Sequence, residues 1–328
     1  MKIAVFTSVS SSYLPNARIL CTSVKQHHPN WDFFLLFNDR TPDETRWEDE
    51  NFDHIMFAEW LHIDRPWLKF AHDYNVIELC TATKASMSRY LLEDLKYDAI
   101  IYLDPDTCVF SPLEEVINII ETNYASVILT PHLTDAEDDD DGIWSHEIAS
   151  LKHGVFNLGF FAIKNSPDGL KFASWWERRL LDYSHIDFEF GTFTDQKWVN
   201  LAPYMLPGIH VLCDRTYNVA TWNIKGRHLT RDKSGNWLIN GQSLRFYHFS
   251  GFGFDFGWAN RELEVFARHN EEVKYIWDYY KKLYARNKSS AVQARWKWDY
   301  NRSGRKIARS ARKLYDRNST VDPFGLNL

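Results

Sequence analysis

Hydrophobic and polar positions follow two periods along this chain. Short apolar runs at 2–9, 32–37, 54–60, 99–110, 126–132, 155–164 and 244–250 read as strands. Between the first two, Ala17, Leu20, Cys21 and Val24 fall at the spacing of one helix face, and Val76, Leu79, Cys80, Thr83, Met87 and Tyr90 repeat it. Strands alternating with helices predict an α/β fold whose central sheet is mostly parallel and covered on both faces. Ligands of such sheets gather at the carboxyl ends of the strands. The loop at 8–15, the end of the 99–110 run and the loop after 244–250 would share that rim.

Composition narrows the class. A chain of 328 residues, 45% hydrophobic, can bury one large core, with or without an appendage. Aromatic residues make up 16% of it, and they serve both cores and the stacking floors of sugar and nucleobase sites. Cys21, Cys80, Cys108 and Cys213 form no CxxC pair, so reduced thiols and a cytoplasmic location are expected. The first apolar stretch is too short for a signal peptide, and no run reaches 18 apolar residues, so neither that secretion route nor a membrane span is expected.

The chemistry concentrates in IIYLDPDTCVF, 100–110, where Asp104 and Asp106 close an otherwise apolar strand. In an extended segment, side chains two apart leave the same face, and Pro105 holds Asp104 extended. Paired carboxylates repel unless a cation joins them, and Mg2+ or Mn2+ suits carboxylate oxygen and substrate phosphates. The same residue types also end strands as ordinary turn formers, so a capped strand end stays open. After the first strand, TSVSSSYLPNA has no glycine, which excludes a GxGxxG turn and a Walker A loop there. GFGFDFG, 251–257, follows the last strand and is a weak dinucleotide motif.

Two further segments are HGVFNLGFFAIK, 153–164, and GTFTDQKWVNLAPYM, 191–205, and the late FYHFSGF completes the series. In that order the chain resembles glycosyltransferase family eight, metal-dependent GT-A-fold enzymes such as glycogenin and the bacterial lipopolysaccharide galactosyltransferases. The resemblance covers about residues 1–285. It implies a single nucleotide-diphospho-sugar-binding domain, with Asp104, Asp106 and His248 as metal ligands for Mn2+ or Mg2+. It places Thr7, Ser8 and Tyr13 at the nucleoside, Asn157 and Gly159 near the donor sugar, and Gly251 against the diphosphate. Where the family often has Lys-Pro-Trp after that glycine, this chain has Phe254, Asp255 and Phe256. The phosphate-contacting cation is therefore sought in Lys84, with Arg89 second. Asp195 and Gln196 are implied at the anomeric carbon, as catalytic and sugar-orienting groups; on residue type alone, Asp195 equally caps a helix.

The implied activity is transfer of a hexose, with retention, from a UDP-sugar to a saccharide or lipid-linked saccharide in surface polysaccharide or lipopolysaccharide synthesis. The alternatives are a sugar nucleotidyltransferase, whose glycine- and arginine-rich first loop is absent, and a non-catalytic sugar-binding protein. DAEDDDD, 135–141, reads as a solvated acidic loop or an acceptor-side lid. Asn218, Trp222 and Asn223 suit sugar contacts or a packed turn. The catalytic domain is expected over 1–288 and a basic aromatic tail over 289–328. From 289 to 317 the tail has nine cations against two carboxylates, net +7, so the rest of a −6 chain stands at −13. A basic helix carrying Trp296, Trp298, Ile307 and Leu314 predicts contact with an anionic membrane surface rather than nucleic acid, with a solvated charged helix as the alternative.

Overall fold

A computed structural model describes residues 1–40, 46–252, 256–288, 295–315 and 319–326. Seven strands form the main sheet: β1 (Ile3–Val9), β2 (Asp32–Phe37), β3 (His54–Phe57), β4 (Ala99–Leu103), β5 (Val127–Pro131), β6 (Phe156–Lys164) and β7 (Ile209–Val211). Their order across the sheet is β3-β2-β1-β4-β6-β5-β7. β1 pairs in parallel with β2 and β4, β2 with β3, and β5 with β7. Only β6 runs against both its neighbours. That reversal is functional in consequence, because it brings the start of β6, with Asn157 and Gly159, beside the end of β4.

The inner strands are buried on both faces, as β1 shows along all seven residues, whereas the edge strands β3 and β7 are only partly buried. One face packs against the helices Trp67–Asp73, Val76–Arg89 and Pro167–Tyr183, and the other against Leu14–His27 and Glu114–Glu121. The helix Val76–Arg89 starts at Asn75, whose side chain accepts from the Ile77 and Glu78 amides while Glu78 reaches back to the Asn75 amide. Its axis thereby holds Lys84 against the rim of the sheet.

The run expected as one strand over 99–110 is broken. β4 stops at Leu103, and Thr107–Val109 belongs to a second sheet, where it pairs antiparallel with Phe246–His248, which in turn pairs in parallel with Val219–Ala220. The break is a β-turn in which the Thr107 amide donates to the Asp104 carbonyl (3.0 Å), with Pro105 at its second position. The two aspartates therefore converge across a turn, not along an extended strand.

The expected basic helix is also corrected. Within the described part of the tail, only Arg309–Leu314 is α-helical. Trp296, Trp298 and Ile307 are buried in the same cluster as the sheet, and Trp298 meets Trp67 edge-on at 5.9 Å. Arg40 stacks over Trp298 and Phe324, and Arg312 donates to the carbonyls of His72, Tyr74 and Trp298. Of the apolar residues that a membrane-lying helix would present, Trp296, Trp298 and Ile307 are inside the protein, and only Leu314 is exposed. No helix among the described residues is long and apolar enough to cross a membrane.

Candidate metal and donor site

At the carboxyl rim of β1 and β4 lies a cavity of about 410 Å³, lined by Ser8, Tyr13, Lys84, Asp104, Asp106, Asn157, Gly159, Asp195, Gln196, His248 and Ser250 among others. The antiparallel pairing of Phe246–His248 with Thr107–Val109 sets His248 opposite Thr107, next to Asp106. His248 Nε2 lies 3.1 Å from Asp106 Oδ1 and 3.8 Å from Asp104 Oδ2. One donor atom from each of the three lies within 4.8 Å of the others. Burial pulls the His248 imidazole down, but Asp106 and Asp104 outweigh it and raise the proton affinity. Two carboxylates demanding positive charge at one point, beside a borderline nitrogen donor, fit a hard divalent cation.

Lys84 is 3% exposed, and its Nζ stands 3.1 Å from Asp195 Oδ2, 3.5 Å from Asp104 Oδ1 and 3.1 Å from the Leu158 carbonyl. Burial lowers its pKa, and the two carboxylates more than reverse this, so the ammonium stays charged. Asp195 does not cap the helix Gln196–Val199; its side chain faces Lys84 and accepts from Thr194 Oγ1. Thr194 holds φ at +46°, costly for a β-branched residue, and that backbone aims Asp195 inward. Gln196 bridges two backbone groups, accepting from the Leu158 amide and donating to the His153 carbonyl.

Gly159 proves to be a steric requirement. A Cβ there would stand 2.5 Å from His248 Cε1 and 2.6 Å from Asn157 Oδ1. Gly251 has φ of +83°, which favours glycine, in the turn after Ser250. Phe254 and Asp255 lie outside the described residues, as does the side chain of Phe256. Ser8 lines the cavity, although its hydroxyl is engaged by the Cys80 carbonyl and Asn38. Thr7 is fully buried in β1 and does not line the cavity. Arg89 is likewise not brought to the site, since it pairs with Glu93 and Glu177.

Tyr102 escaped sequence reasoning. Its hydroxyl donates to Asp104 Oδ1 at 2.6 Å, and the two-residue spacing to Asp104 was the available signal. The acidic loop is tethered, because Lys225 Nζ lies 2.8 Å from each of Glu137, Asp138 and Asp139.

Residues 4–168, half of the chain, match the family described as "Glycosyl transferase family 8". The chain belongs to that family. It is therefore a glycosyltransferase enzyme, in place of a nucleotidyltransferase or a non-catalytic binder. The chain is 25% identical over 254 residues to the uncharacterized protein YfnD of Bacillus subtilis (strain 168), covering 75% of this chain and 76% of that protein. YfnF of the same strain is 30% identical over 100 residues, covering 30% of this chain and 33% of that protein. Among solved structures, the galactosyltransferase LgtC in complex with donor and acceptor sugar analogs is 15% identical, with a TM-score of 0.44, covering 81% of this chain and 95% of that one. Mouse xyloside xylosyltransferase 1 in its apo form is 13% identical, with a TM-score of 0.43, covering 76% and 97%.

Proposed function

We propose that this family 8 enzyme transfers a hexose from a UDP-sugar to a saccharide or lipid-linked saccharide, with retention, using Mn2+ or Mg2+ held by Asp104, Asp106 and His248. The observation that carries the proposal is the meeting of those three donors within 4.8 Å on the wall of one cavity. A divalent ion held by these three residues would supply positive charge to offset that of a departing diphosphate.

The remaining roles fall to side chains of the chain itself. Tyr13 and Ser8 border the nucleoside end, while Asn157 stands at the donor-sugar end. Lys84 fixes Asp195 and Asp104 in place and adds positive potential beneath the diphosphate. Asp195, whose pKa burial raises and Lys84 pulls back down, lies against Lys84 and offers electrostatic stabilisation to an oxocarbenium-like centre. Gln196 orients the sugar with the amide hydrogen left over from His153. Surface polysaccharide or lipopolysaccharide synthesis is the process in view. Contact with an anionic membrane belongs to the proposal through exposed Arg302, Arg305, Lys306 and Arg309, on charge alone.

Thermal unfolding with a panel of nucleoside diphosphates and sugar nucleotides, with Mn2+ or with chelator, tests the donor assignment, because a ligand of the native state raises Tm. A manganese-dependent rise confined to UDP and one UDP-sugar is expected. No rise with any nucleotide would sink it.

A further inference from the structure

A backbone amide inside β6 determines, through two asparagines, which nitrogen of His248 faces the aspartates. Gly159 N–H donates to Asn157 Oδ1 at 3.1 Å, and a backbone amide has no other role, so the orientation of the Asn157 amide is fixed. The same Oδ1 lies 3.0 Å from Asn218 Nδ2, which in consequence must be the nitrogen of Asn218. Thr130 Oγ1, at 3.0 Å, takes a second hydrogen bond from it. Asn218 Oδ1 then faces His248 Nδ1 at 3.3 Å, and an oxygen there requires Nδ1 to carry its hydrogen. Nε2 is left pointing at Asp106.

We infer that Asn218 is a positioning residue that fixes the His248 ring and tautomer, so that Nε2 is presented for metal binding. This rests on the metal reading of Asp104, Asp106 and His248. Asn218 is 1% exposed and holds φ at +49°, a conformation asparagine tolerates better than most residues. Its carbonyl accepts from Asn223 Nδ2 at 3.0 Å, so the strained backbone is itself held in place. The earlier reading of Asn218 as a substrate contact gives way to this, since its amide is spent on Asn157, Thr130 and His248. Asn157 acquires a second role, as the link between β6 and the histidine.

The test is Mn2+ affinity, read by the loss of the free-ion electron paramagnetic resonance signal, with and without UDP, on the full chain. Asn218→Gly keeps the positive φ and removes the side chain, whereas Asn218→Asp keeps an acceptor for Nδ1–H and loses the donors to Asn157 and Thr130. Groups that accept from the other ring nitrogen of a metal-binding histidine are worth about 10- to 100-fold in metal affinity. Asn218→Gly should weaken Mn2+ by that factor, and Asn218→Asp should restore it to within about threefold of wild type, as expected when only the Nδ1 acceptor matters. A glycine variant that binds like wild type, or an aspartate variant as weak as the glycine one, overturns the inference. If the glycine variant does not fold, weak binding by a folded Asn218→Asp does so alone. Failure of the wild type to bind Mn2+ in either condition would instead remove the metal reading itself.

Discussion

Replacing Gly159 by alanine adds a carbon where the His248 ring already stands, 2.5 Å from Cε1. The ring must move, and with it the nitrogen that faces Asp106. Gly159→Ala should therefore keep a cooperative thermal transition but lose metal-stimulated turnover by at least about 100-fold, the upper range for disturbed ligand support. Turnover within a few-fold of wild type would show that His248 is not a ligand. Lys84 gives the complementary case. Its removal leaves Asp195 and Asp104 facing each other without compensation, so Lys84→Ala should cost about 3–5 kcal/mol in urea unfolding. A loss under about 1 kcal/mol would mean that water reaches and screens the pair. The aspartate pair was legible at this scale from residue type and spacing, whereas His248 and Lys84 were singled out only through the family resemblance that the order of motifs carries. Tyr102 and the steric demand at Gly159 were not, because each depends on what the fold sets opposite.

Strand periodicity located all seven strands of the main sheet except β7, a three-residue strand too short to show alternation. It joined β4 to Thr107–Val109, because the apolar run continues through the turn that Pro105 and Asp104 make. The helix expected in the tail was misjudged for a related reason: aromatics among cations suit a membrane surface and a packed groove equally, and only tertiary contact shows that Trp296 and Trp298 pack inward. Trp298, 3% exposed, should accordingly cost about 3–5 kcal/mol when replaced by alanine. A surface role predicts little change in stability but loss of binding to anionic vesicles.

The segment 143–147 carries a second structural commitment. His146 is buried between Glu137 (2.6 Å) and Glu262 (3.2 Å), joining the acidic loop to the helix Phe256–Phe266. Burial lowers its pKa, but the hydrogen bonds to Glu262 and Glu137 raise it overall above 6.5. A raised histidine stabilises fully below its unfolded value and loses that contribution as pH rises through the folded one. Stability should thus fall as pH rises from about 6.5, and His146→Gln should flatten that slope. Equal slopes in the two proteins would leave the bridge without a charged histidine.

At the scale of the whole molecule, the fold places three distant segments on one rim: the turn after β4, the start of β6 and the strand Phe246–His248. The α/β class and the shared rim were visible in alternation of elements along the chain. The second small sheet was not visible as a sheet, since Phe246–His248 was read only as a lone strand, Thr107–Val109 was merged with β4, and the two-residue Val219–Ala220 carries no periodic signal of its own. Yet that sheet is what completes the Asp104–Asp106–His248 cluster. The most direct measurement is release of UDP from UDP-hexoses with Mn2+ and with chelator, for wild type and Asp106→Asn. Turnover that requires the metal and disappears in the folded variant is the expected result. Undiminished turnover under chelator, or in Asp106→Asn, would contradict the metal-dependent mechanism.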